Sequence, residues 1–160
     1  MLSAFCVFTN AIDIKHLDEG NTTELTLAKA QAVVSGVLSF AREKSLAPMT
    51  VVVLDARGAL KAFAAEDGTP LRRADIAIGK AHGALAMGVN SRALQAKAEQ
   101  QPYFIAAATL AVGGSLIPVP GGVLVQDEQK RTIGAVGVSG DTSDNDEATA
   151  FAGLAAANLI

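Results

Sequence analysis

The stretch from Met49 to Glu66, MTVVVLDARGALKAFAAE, carries the reading on which the fold turns. Its first part, MTVVVLD, is a Val-rich run of strand length with no charge before Asp55. β-Branched residues suit a pleated, buried surface. ARG then turns the chain, with Gly58 in the permissive turn position, and ALKAFAAE brings it back. A connection this short pairs its two strands antiparallel.

Working outward, the segment upstream is a helix. Thr26 is placed to cap it, and Leu27, Ala30, Val34, Val37 and Ala41 recur at spacings of three and four, which makes one buried face. Lys29 stands where a capping box would have an acid, so the cap is partial. Downstream, DGTPLRR is a loop, and Pro70 leads into a helix with Leu71, Ala74, Ile78, Ala81 and Leu85 on one face. GVN ends that helix, Ser91 caps a shorter one through Gln100, and Pro102 opens a helical turn. Strands are expected near Gly114–Ile117, Gly121–Gln126 and Thr132–Val138. The last helix is expected to face Ala148, Phe151, Ala152, Ala155 and Leu159 inward. Helix, hairpin, helices, three strands and helix, with short connections that favour antiparallel pairing, describe an α+β domain with helices grouped around the sheet.

The 160 residues are enough for one domain with a sizeable core, and half of them are hydrophobic. Residues 1–23 read as an N-terminal arm and 24–160 as the domain. The high apolar content for this length points to a homo-oligomer, a dimer or larger. A formal net charge of −3 gives no electrostatic case for nucleic acid or for an anionic membrane surface. From Gln100 to Gln126 there is no charge at all, but two Gly pairs and two prolines interrupt the run. Buried strands and turns fit it better than a membrane-spanning helix. A single cysteine, Cys6, and a start with no Lys or Arg before Lys15 lead to the expectation of a cytoplasmic protein.

Three places carry candidate chemistry. The first is GAVGVSGDTSDNDEA, Gly134–Ala148, where a glycine-spaced strand meets a cluster of acids and hydroxyls. Ser143 with Asp146, or Asp144 with Glu147, has the spacing of a reciprocal helix cap. Acids also suit the positive end of a helix dipole. Those same acids repel phosphate, and the segment lacks both a glycine–lysine pair and a calcium-loop frame. The cluster is therefore assigned mainly to helix initiation.

The second place is the helix from Arg72 to Met87. Asp75, Gly79, His82 and Ala86 fall at spacings of four, three and four and share a face. Gly79 and Gly83 leave bare backbone beside the imidazole, at roughly 1 kcal/mol each against alanine, so something approaches closely there. That is another helix or a flat ligand. His82 is either a histidine at a packed crossing or a ligand or base. No cysteine or second histidine lies at zinc-ligand spacing, so no metal site of that kind is expected. Lys80, on an adjacent face, is either solvated or holds an anionic group such as a carboxylate. His16 lies in the arm.

The third place is GGSLIPVPGG, where the backbone of Gly121 and Gly122 either meets a ligand or simply connects strands.

Five segments together resemble the GlcG/HbpS family of small bacterial proteins, whose domain also forms the C-terminal part of PduO-type proteins. They are LTLAKA, VVVLDARGALKAF, EDGTPLRRADIAIGKAHGAL, GGSLIPVPGGVLV and IGAVGVSGDTSDNDEA, in that order between Leu25 and Leu159. The resemblance implies a five-stranded antiparallel sheet flanked by helices, assembly into dimers or larger rings, and haem or corrinoid-related binding. Departures from the family pattern fall near the implied ligand region. Ala65-Glu66 stand where Arg-Met is usual, Ser115 where a basic residue is usual, Leu124 where a proline is usual, and His82-Gly83 where an aromatic or Arg is followed by Thr.

Two functional readings follow. One is a binding protein for haem or another small molecule, with His82, Lys80, Asp75, Gly121 and Gly122 at the cofactor. The other is a small isomerase, hydratase or hydrolase acting on an organic acid in catabolism, with His82 as general base and Lys80 or backbone amides polarising a carbonyl. No complete catalytic set is visible, which favours binding.

Overall fold

A computed structural model describes residues 24–159; the N-terminal arm, with Cys6 and His16, lies outside the described residues. The order is α1 (Leu27–Glu43), β1 (Thr50–Asp55), β2 (Leu60–Ala65), α2 (Arg73–Met87), α3 (Ser91–Gln100), α4 (Pro102–Ala111), β3 (Gly122–Gln126), β4 (Thr132–Ser139) and α5 (Ser143–Ala156). The strands form one antiparallel sheet in the order β2-β1-β4-β3. The Val-rich β1 is central and pairs with β4 from Thr50↔Ser139 to Asp55↔Gly134.

The sheet separates two cores. Val51, Val53, Val136 and Val138 face α1 and α5, and Val52, Leu54 and Ala135 face Ala77 and Ala81 of α2. The alternation along β1 is the period of a strand buried on both faces. α3 and α4 pack on each other through a third cluster of Leu94, Ile105 and Leu116. No described helix is long and apolar enough to cross a membrane.

The expected α+β class and the hairpin are present, but the sheet has four strands among the described residues, not five. Residues 114–117, expected as a strand, have no strand partner. Gly113 and Gly114 turn the chain at φ of 81° and 83°, and Pro118 and Pro120 lack the N–H a ladder needs. The Ile117 N–H goes to Gly79 O of α2 at 3.1 Å instead. After Pro102 the chain makes a full ten-residue helix rather than a turn.

The buried faces of three helices also differ from expectation. α1 buries Val33 in place of Val34, and Leu27 at its first turn is half exposed. Leu71 precedes α2 and is 88% exposed. α5 turns Asp146, Thr149, Ala150, Gly153 and Leu154 inward and leaves Phe151 at the surface. Close helix contact explains α5. A Cβ on Gly153 would collide with Val37 Cγ2, so α5 presents its small residues to α1 and not its phenylalanine.

Candidate functional site

Helix α2 holds two of the expected site residues, and the fold sends them to different places. Lys80 points inward. Its side chain is 2% exposed, and Nζ donates to Asp146 Oδ2 at 2.7 Å and to Val138 O at 2.9 Å. Asp146 Oδ1 accepts from the N–H groups of Gly140 and Asp141 at 3.0 Å each. The pair thus ties α2 on one face of the sheet to the start of α5 on the other. Burial pushes the Lys80 ammonium down from the ordinary lysine range, while the charge and hydrogen bond of Asp146 hold it up.

Gly121 and Gly122 lie against this pair. A Cβ on Gly122 would collide with Lys80 O, and one on Gly121 would stand 2.9 Å from Lys80 Nζ. The Gly122 N–H donates to Ser91 Oγ at 2.7 Å. These glycines let α2 and β3 approach backbone to backbone.

Asp75 lies two turns from His82 on α2, exposed, and pairs with Arg72 at 2.8 Å. The acids of the opening of α5 have partners of their own. Thr142, not Ser143, is the N-cap, and its side chain accepts from the Asn145 N–H. Asp144 and Glu147 both reach Arg92 of α3. The reciprocal caps expected from spacing are not made, because tertiary partners take the carboxylates.

His82 points the other way and is half-buried. Its Nδ1 lies 2.9 Å from Ser115 O. A carbonyl only accepts, so Nδ1 carries the proton, and in the neutral ring Nε2 keeps its lone pair. The Cδ2–Nε2 edge faces the β1–β2 turn, where a Cβ on Gly58 would be 3.5 Å from Cδ2 and 3.9 Å from Nε2. The close approach foreseen from Gly79 and Gly83 is made by the chain itself. Cβ atoms there would be 2.7 Å from Ile117 Cγ1 and 3.1 Å from Leu116 Cγ. The 115–117 segment therefore buttresses one side of the imidazole.

Beside that turn, no described element covers the α2-side face of β2. α2 packs over β1, β4 and β3 and stops short of the β2 edge. Phe63 pairs with Val52 and Leu60 with Leu54, both residues of the α2-side core, so Phe63 and Leu60 project on the same side as α2. They are 46% and 61% exposed. A half-buried imidazole, whose Nε2 has no hydrogen-bond partner among the described residues, thus faces the turn that leads into β2. Spacing pointed to His82; the bare face of β2 had no local signal, because only the lateral position of α2 leaves it open. Arg57, one residue before Gly58, is held by Asp55 at 2.9 Å, and that guanidinium keeps the Asp55 carboxyl below its usual range. A cleft of about 370 Å³ lies between β2 and α1, lined in part by Leu27, Val34, Lys61 and Phe63. Another of about 460 Å³ runs beside the β3 edge and is lined in part by Val89, Leu124, Lys130 and Phe151.

A family model described as haem degrading protein, HbpS-like, matches residues 25–155. No curated protein matches the chain. Among solved structures, the Klebsiella pneumoniae protein ORFY, of family DUF336, superposes with a TM-score of 0.77 at 24% identity, covering 90% of this chain and 98% of that one. A PduOC–haem complex gives 0.74 at 22% identity over 83% and 94%. HbpS gives 0.72 at 24% over 86% and 93%.

Proposed function

The chain belongs to the HbpS-like family, and on that premise we propose that it binds haem or a closely related flat, metal-centred cofactor beside the α2-side face of β2, where His82 would hold it. The observation that carries this is the His82 ring. Its proton goes to Ser115 O, so Nε2 would be the atom to hold such a group, and Leu60 and Phe63 stand exposed on the α2 side of β2. The donor chemistry fits the group, since haem iron takes a proximal imidazole and the macrocycle is itself flat and apolar. The similar fold of PduOC, a protein solved in complex with haem, supports the same class of ligand. When bound, such a group supplies redox or gas-binding chemistry at its metal; the protein's own residues bind, orient and shield it.

The catalytic alternative is supported less well. Of the groups expected to polarise a carbonyl, Lys80 Nζ is already donated to Asp146 and Val138, and the Gly122 N–H to Ser91. We further propose that the protein is a homo-oligomer, because half its residues are hydrophobic and several large apolar side chains stand exposed.

Titration of the purified protein with haemin tests the ligand. The parent is expected to give a saturable, shifted Soret band. His82→Ala is expected to weaken binding by on the order of 10-fold or more, with an unchanged far-UV spectrum. A parent that gives no saturable band, or a His82→Ala variant that binds as the parent does, overturns the assignment.

A further inference from the structure

Two separate physical reasons bear on the glycine at position 58, in the turn that faces His82. One is conformational: φ is 81°, in the left-handed region that most side chains resist. Asparagine also tolerates that region and is common in turns. The other is steric. Apart from its chain neighbours, a Cβ on Gly58 would have two heavy atoms of the described chain within 4 Å, Cδ2 of His82 at 3.5 Å and Nε2 at 3.9 Å. The missing side chain therefore leaves room against the imidazole edge and against no other described group.

Both walls of that gap are fixed. Asp55 braces the turn: its Oδ1 accepts from the N–H groups of Arg57 at 2.9 Å and Ala59 at 3.0 Å, and its Oδ2 from the Arg57 guanidinium at 2.9 Å. The Gly58 N–H donates to Asp55 O at 2.9 Å. Across the gap, the bond from Nδ1–H to Ser115 O holds the ring, and Leu116 and Ile117 seat the segment after that carbonyl on Gly83 and Gly79. A bulkier residue 58 must break one of these sets of contacts or lie against the ring edge. Nε2 itself has no hydrogen-bond partner among the described residues. A neutral imidazole nitrogen with its lone pair available takes an electron-pair acceptor, a metal centre or an acyl carbon.

We infer that residue 58 is the specificity gate of the His82 site: glycine admits an electron-pair acceptor to Nε2, and a side chain in its place keeps one out. This rests on the reading of His82 as the residue that holds the cofactor, and it adds that access to it is set from the β1–β2 turn.

Diethyl pyrocarbonate tests access without haem. Its carbonyl carbon bonds to an unprotonated imidazole nitrogen as ethyl carbonate leaves, and the tryptic peptide from Ala81 to Arg92 reports His82 apart from His16. His82 of the parent is expected to react at neutral pH. Gly58→Asn, with the parent's far-UV spectrum, is expected to slow that reaction and to weaken haemin binding, each by on the order of 10-fold or more, since a side chain there takes up the space the incoming group needs. Ala56→Asn, exposed in the same turn, is expected to do neither. A parent His82 that resists the reagent overturns the gate, however the variants fold. So does a folded Gly58→Asn that reacts at the parent's rate, or an Ala56→Asn that slows the reaction equally. Slowed reaction with undiminished haemin binding supports the gate and overturns His82 as the residue that holds haem.

Discussion

Lys80 and Asp146 stand 66 positions apart, and the structure buries both. A buried pair is costly to break, because removing one partner leaves the other charged and desolvated. Lys80→Met is therefore expected to lower stability by about 3–5 kcal/mol in urea unfolding. Lys80→Met with Asp146→Asn is expected to recover part of that loss: the amide is neutral, and its oxygen still accepts from Gly140 and Asp141. A loss under about 1 kcal/mol for the single variant sinks the view that the pair ties α2 to α5. His82 is the opposite kind of residue. Its partner, a backbone carbonyl, fixes the ring without consuming the second nitrogen, which is why its removal is expected to affect haemin more than folding.

At the scale of elements, the start of α5 shows how one loop satisfies a helix end. Thr142 caps it, and Thr142→Ala is expected to cost about 1 kcal/mol, read as a shift in the urea midpoint. Asp141 braces the loop from outside. Its carboxylate accepts from the N–H groups of Ala47 and Thr142 and from the Asn145 amide. Those bonds, the one from Ala47 first, hold the carboxyl below its usual range. A depressed carboxyl contributes stability that is fully present above its unfolded value and is lost as pH falls through the folded one. The parent is thus expected to lose stability below about pH 4, and Asp141→Asn to show a shallower loss over that range. Equal slopes in urea titrations at descending pH would rule this out.

The whole molecule is assembled by backbone contact across glycines. β4 bears α2 directly on Gly137, where a Cβ would collide with Ala77 O. No side chain lies between to yield, so Gly137→Ala must separate helix from sheet. A loss of roughly 3 kcal/mol is expected in thermal unfolding. Because the same helix carries His82 to its carbonyl partner, weakened haemin binding is expected with it. A variant with the parent's melting temperature would show that α2 docks less tightly than this contact requires.

The sequence by itself determined the elements whose signal is local. β1 and its turn to β2 were legible because a Val run and a Gly turn need no distant partner to be recognised. The Thr26 cap and the existence of α1 were legible for the same reason, though not that Val33 rather than Val34 would be buried, and five ordered segments were enough to identify the family. Tertiary structure alone decided which neighbour each apolar or charged group would find. Leu116 and Ile117 have strand-like composition, yet they pack on α2 because prolines and glycines deny them a ladder. Asp146 has cap spacing, yet it answers Lys80 because charge buried elsewhere in the chain must be paired. The bare face of β2 depends on how far α2 lies across the sheet. That offset is set by backbone contacts at Gly122 and Gly137, and periodicity carries no record of it.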